Sequence, residues 1–257
     1  MAAFQYARQM AVLFLLLAGA TAGLAGCKPI GSTAPDPTAA VVRAPDTSPA
    51  PTRLAEPLPV NGTGYVVLNA PVTPLSRDMF RSSVDRLRAA GAREIDIGIN
   101  SPGGSIDAAQ DIVAYMARMH RENGVTFKAY NLGFVASAAT YIFLNAQQRY
   151  AGPQGRFLFH AAGMMANGPI NSDQLRDSAD KLDAYERTVR ATLAARTRLT
   201  NAEAQTYVRR TVVLSADDAR RDGVVDGIAD LQLPPNARAY VITAAPGGPT
   251  PTNSLPR

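Results

Sequence analysis

Asn100-Ser101-Pro102-Gly103-Gly104-Ser105, Gly133-Phe134-Val135-Ala136-Ser137-Ala138-Ala139-Thr140 and Phe157-Leu158-Phe159-His160 follow one another between Asn100 and His160. They bring together, in a fixed order, three parts of a serine acyl-transfer site. The glycine pair can offer bare backbone N–H groups. Ser137 stands where an apolar strand gives way to a helix, and a helix N-terminus favours the negative charge of a tetrahedral intermediate. His160 ends an apolar strand. Each part alone has a simpler explanation: a glycine turn, a small serine in helix packing, a satisfied structural histidine. Their order and their positions on the elements make the joint case.

Working outward, the pattern is α/β. Tyr65 to Leu68 is a short buried-strand run, and Ser76 to Ala90 has helical spacing with Gly91 at its end. Glu94 to Ile99 alternates as a strand, with Ile95, Ile97 and Ile99 on one side. Ile106 to Met119 is helical, Val125 to Leu132 a strand, Ser137 to Ala146 a helix, and Arg156 to His160 a shorter apolar run. Asn171 or Ser172 can cap a long helix reaching Arg198, with Leu175, Leu182, Tyr185, Val189 and Leu193 as its apolar stripe. Thr200 or Asn201 can cap another helix. Thr211 to Leu214 follows, then a short helix behind Ser215 that stops at Gly223, and Val224 to Ile228. Strands alternating with helices imply mainly parallel pairing.

The ends are different in kind. Residues 1–26 read as an export signal: Arg8 lies before an apolar run from Met10 to Ala22, too short for a membrane span of roughly 20 residues. Leu24-Ala25-Gly26-Cys27 resembles the lipobox of bacterial lipoproteins, in which the cysteine thiol receives lipid. Cys27 is the sole cysteine, so no intramolecular disulfide is possible. Residues 27–62 are rich in Pro, Ala, Thr and Ser and read as a disordered tether, and residues 244–257 as a disordered tail. The expected folded domain is 63–243. Lys28 after Cys27 resembles outer-membrane sorting, which gives a periplasm-facing envelope lipoprotein as the expected location.

The net charge of +5 is spread along helices without a basic run or interleaved aromatics, so nucleic acid is not expected. Two histidines and one cysteine assemble no metal site, and no phosphate-loop pattern is present, so no cofactor is expected.

From Tyr65 to Ile228 the chain resembles the proteolytic subunit of the Clp protease, within the ClpP/crotonase superfamily. The resemblance implies a spiral of ββα units with a mainly parallel sheet flanked by helices. It implies Ser137 as nucleophile, His160 as general base, and the N–H groups of Gly104 and Ala138 as the oxyanion hole. It also implies a homo-oligomer joined through the long helix. At the third triad position the pattern breaks. Aligning on Leu214-Ser215-Ala216 places Thr211 where the family carries Asp. A threonine hydroxyl can orient an imidazole but cannot balance its charge.

The expected function is an exported, lipid-anchored serine endopeptidase acting on peptides or unfolded segments. It would work without ATP and without a Clp ATPase partner. Three alternatives stand beside it. One is an inactive envelope scaffold or peptide-binding protein, and one is a Ser–Lys protease resembling signal peptide peptidases, with Lys181 as base. A crotonase-type acyl-CoA enzyme is the third.

Overall fold

The computed structural model describes residues 55–164, 168–244 and 249–256. Cys27, the signal and most of the expected tether lie outside these residues. Nine strands among the described residues form one sheet, in the order β6 (Val212–Ser215), β5 (Arg156–Phe159), β3 (Thr126–Ala136), β2 (Glu94–Ser101), β1 (Thr63–Leu68), β8 (Ala239–Ile242) and β9 (Thr250–Thr252), with β4 (Gln148–Ala151) paired to β3 and to β7 (Gly227–Ile228). The core strands are β1 (Thr63–Leu68), β2 (Glu94–Ser101) and β3 (Thr126–Ala136). All three pair in parallel, Val66 beside Ile97 and Ile97 beside Ala129. The expected α/β class with a mostly parallel sheet is therefore the observed one.

Parallel strands are joined by crossovers, so helices cover the sheet. Helix α1 (Pro74–Ala89) joins β1 to β2, and α2 (Ile106–Asn123) joins β2 to β3. Thr73 and Ser76 close a capping box at the start of α1. Ser105 caps α2, which ends on left-handed Gly124. Phe80, Val84, Leu87, Ile112 and Met116 are buried against Val66, Leu68, Ile95, Ile97 and Ile99 in the main core. A smaller core on the other face gathers Tyr65, Val67, Leu231, Ala237 and Ala239.

Strand β3 is the longest and serves two neighbours. Lys128 to Asn131 pair with β4 (Gln148–Ala151), whereas Phe134 to Ala136 pair with β5 (Arg156–Phe159). Buried Asn131 holds the change of partner in place. Its Nδ2 donates to the Arg156 carbonyl at 2.8 Å and its Oδ1 accepts from the Gly133 N–H at 2.8 Å. Directly after β3 comes Ser137, then α3 (Ala138–Leu144). The chain continues through α4 (Ser172–Arg196), α5 (Asn201–Arg209), β6 (Val212–Ser215), α6 (Ala216–Arg221) and β7 (Gly227–Ile228).

Three features depart from the sequence reading. The folded part begins before residue 63: Val60 bridges Thr63, and the Glu56 carboxylate accepts from the Tyr240 hydroxyl at 2.6 Å. The stretch expected as a disordered tail supplies β9 (Thr250–Thr252), antiparallel to β8 (Ala239–Ile242). Proline within β9 is tolerated because the strand lies at the sheet edge. In α4 only Tyr185, Val189 and Leu193 of the expected stripe are buried, while Leu175 is 58% exposed.

Asp96 is an unusual member of the central strand. It is buried on β2, its Oδ1 has no hydrogen-bond partner among the described residues, and it lies between Tyr65 and Lys128 in the sheet register. Burial, with a smaller push from Glu94, raises its carboxyl from 3.8 to about 7, against the pull of Lys128. A carboxyl raised in this way takes up its proton in the folded chain before it does in the unfolded chain. The fold therefore gains stability as pH falls from above 7 towards 4, and loses it as Asp96 ionises. At about 1.36 kcal/mol per pH unit the cost of ionisation is on the order of 4 kcal/mol. Asp96→Asn, which is neutral at every pH, is expected to raise the melting temperature at pH 8 and to flatten its decline between pH 4 and 7. An equally steep decline in the variant would show that Asp96 is not the group responsible.

Candidate active site

Ser137 sits at the corner between β3 and α3 with φ 53° and ψ −128°. Asn61 and Asn236 are the other described non-glycine residues with positive φ. A serine held in this region stores on the order of 1–3 kcal/mol of strain, which the surroundings must sustain. Here the Ser137 N–H donates to the Leu158 carbonyl at 2.9 Å, which ties the corner to β5. Thr140 closes it from the helix side, its N–H and its hydroxyl both donating to the Ser137 carbonyl, at 2.9 and 2.6 Å.

The glycine pair meets this corner directly. Gly103 has φ +90°, and a Cβ there would lie 2.6 Å from the Ala136 carbonyl oxygen, 2.6 Å from Ser137 Cβ and 2.9 Å from the Ala138 nitrogen. Gly103 is required by both conformation and contact. Gly104 forms a parallel bridge with Val72, made by Val72 N–H to the Gly103 carbonyl and Ser105 N–H to the Val72 carbonyl, both 2.7 Å. In such a bridge the middle residue's own N–H points away from the partner. No hydrogen bond among the described residues occupies the Gly104 N–H. The Ala138 N–H belongs to the first residue of α3, where no intrahelical acceptor exists. Two unspent donors thus flank Ser137.

Gly104, Ser137 and His160 line one cavity of about 120 Å³, together with Ile106, Phe159, Tyr185, Val189 and Tyr207. The walls are largely apolar, as for a substrate side chain. His160 follows directly on β5 and is exposed. Its Nδ1 lies 2.7 Å from the Ala161 carbonyl oxygen. A carbonyl can only accept, so Nδ1 carries a proton, and in the neutral imidazole Nε2 then keeps its lone pair. That is the tautomer a general base needs.

Thr211 is the expected orienter of His160. The antiparallel pairing of β5 ends at Phe159 opposite Val212, one residue short of His160 and of Thr211. Thr211 is exposed and makes no hydrogen bond to His160, because the imidazole Nδ1–H is already bound by the adjacent carbonyl. Lys181 lies on the exposed side of α4 and lines an adjoining cleft with Asp107 and Gln110, not the cavity of Ser137. Sequence reasoning also missed Glu186, the one carboxylate among the residues lining that cavity. Among the described residues no group of three or more His, Cys, Asp or Glu side chains could hold a metal ion, and no helix is long and apolar enough to cross a membrane.

The contact at Gly103 is testable. Gly103→Ala is expected to destabilise the fold by about 1–3 kcal/mol, since strain and overlap with fixed backbone cannot both be relieved. Urea denaturation would measure this, and a variant as stable as the parent would show that the corner is soft.

A model of the Clp protease family matches residues 70–232, which is more than half of the chain. Among solved structures, a ClpP1 mutant from Listeria monocytogenes superposes with a TM-score of 0.56 at 22% identity, covering 65% of this chain and 92% of that one. That likeness bears on the fold alone. No curated protein matches. With its mostly parallel α/β fold and the extent of the family match, this chain belongs to the Clp protease family.

Proposed function

We propose that this protein is a serine peptidase that cleaves peptides or unfolded segments without ATP, exported and held at the cell envelope by lipid on Cys27. The observation that carries the peptidase reading is the strained Ser137 in a cavity shared with His160 and the unspent Gly104 N–H. Membership of the family supports the same activity.

The proposed steps follow from that arrangement. Ser137 Oγ attacks the scissile carbonyl carbon while its proton passes to His160 Nε2. The carbonyl oxygen becomes an oxyanion, received by the N–H groups of Gly104 and Ala138. His160 then gives the proton to the departing amine, and water repeats the sequence to free Ser137. The Ala161 carbonyl keeps Nδ1 protonated throughout, and Thr211 is assigned no step. A Ser–Lys dyad is not favoured, since Lys181 is exposed. A homo-oligomer is part of this proposal, with Met164, Ile170 and Leu175 as exposed apolar residues before and within the first turns of α4 for a second copy to cover.

Ser137→Ala and His160→Ala are each expected to lower turnover of an unstructured fluorogenic peptide by at least about 10³-fold with the fold retained. Turnover unaffected by either change would remove the reading. The anchor has its own test: acyl chains contribute about 0.8 kcal/mol per buried CH₂. Cys27→Ser in cells should therefore yield an unlipidated precursor, and processing at the same bond without cysteine would contradict lipidation.

A further inference from the structure

His160 presents a problem of charge. When it takes the serine proton it becomes an imidazolium, and the carbonyl of Ala161 at its Nδ1 can fix the tautomer but bears no full charge. Thr211, the expected third member, bears none either. Yet the cavity that contains His160 also contains a carboxylate.

Glu186 lies on α4, and its Oε1 accepts from the Ala162 N–H at 3.2 Å, two residues beyond His160 in the chain. It lines the same cavity as Ser137 and His160, where it is the one acid and His160 the one base among the lining residues. Its place is fixed by the packing of the residues beside it. Tyr185 is buried with its ring 5.8 Å from that of Tyr141 at 77°, and Val189 one turn on is buried too. The exposed first turns of α4 end before this point, so Glu186 belongs to the half of the helix anchored on α3.

We infer that Glu186 is a positioning and charge-balancing residue for His160, taking over the third role of the triad from a different element of the fold. Two groups share the work that one aspartate usually does. The Ala161 carbonyl selects the tautomer, and the Glu186 carboxylate stabilises the imidazolium and holds the His160–Ala162 segment through the Ala162 N–H. The inference rests on the serine-peptidase reading of Ser137 and His160. It goes beyond that reading in naming a residue on α4 as the source of the negative charge.

The test uses a fluorophosphonate probe on the full chain, which needs no knowledge of the natural substrate. Ser137 Oγ bonds to phosphorus, fluoride leaves, and the serine proton passes to His160. Labelling rates over a range of probe concentrations separate the maximal rate from the probe's apparent affinity. Glu186→Gln removes the charge while its amide oxygen can still accept from Ala162 N–H, so it separates electrostatics from positioning. It is expected to lower the maximal labelling rate about 10-fold or more, with apparent affinity within about 2-fold, because the charge interaction belongs to the transition state. Glu186→Asp, which restores the charge on a shorter side chain, is expected to recover a substantial part of the loss. Full labelling speed in Glu186→Gln would overturn the inference, as would a Glu186→Asp variant no faster than the glutamine variant. Ser137→Ala identifies the site of labelling. Label that persists in it would overturn the serine-peptidase reading itself, a result distinct from either Glu186 outcome.

Discussion

The backbone of Gly103 lies against the Ala136 carbonyl, Ser137 Cβ and the Ala138 nitrogen, with no room for a single methyl group between them. The rest of the site depends on that contact. It fixes the turn after β2 to the corner after β3, two segments brought together by the parallel pairing of those strands. It leaves the Gly104 N–H pointing away from Val72, on a residue that lines the cavity of Ser137, while the Ala138 nitrogen lies against Gly103. The strained φ of Ser137 is sustained by the same neighbours, through Leu158 on β5 and Thr140 on α3. Strain of this kind is maintained only where the surroundings over-determine it.

Because β5 both receives the Ser137 N–H and leads into His160, one strand sets the relation between the corner and His160. The switch of partners along β3, stitched by Asn131, is what allows β5 to lie next to the last residues before Ser137 while β4 pairs further back. The helices then close the cavity from the side, with α4 anchored through Tyr185, Val189 and Leu193.

Much of this was legible in the sequence, for definite reasons. Periods of 3.6 and 2 set out the strands and helices from Tyr65 to Leu214, and caps at Asn171, Thr200 and Ser215 are found where side-chain chemistry put them. The order of Gly104, Ser137 and His160 at strand ends was equally readable. Strands β4, β8 and β9 were not, since runs of three or four residues carry little period. The composition of 244–257 suggests disorder, yet pairing with β8 supplies order that composition cannot foretell. Glu186 was invisible for a related reason. Between Tyr185 and Arg187 it reads as an ordinary solvated helix residue, and its nearness to His160 depends on a contact across 24 positions of sequence. Thr211 is placed at the third triad position by alignment alone: the pairing of β5 with β6 ends one residue short of it, and the hydrogen bond at His160 Nδ1 is with the Ala161 carbonyl.

The central claim is that Ser137, with the N–H groups of Gly104 and Ala138, forms a preorganised acyl-transfer site. A crystal structure with a peptide boronate tests it most directly, because a tetrahedral boronate imitates the intermediate. The account predicts boron bonded to Ser137 Oγ, with one boronate oxygen within hydrogen-bond distance of both N–H groups. A boronate bound elsewhere, or one on Ser137 whose oxygens meet neither donor, would contradict it.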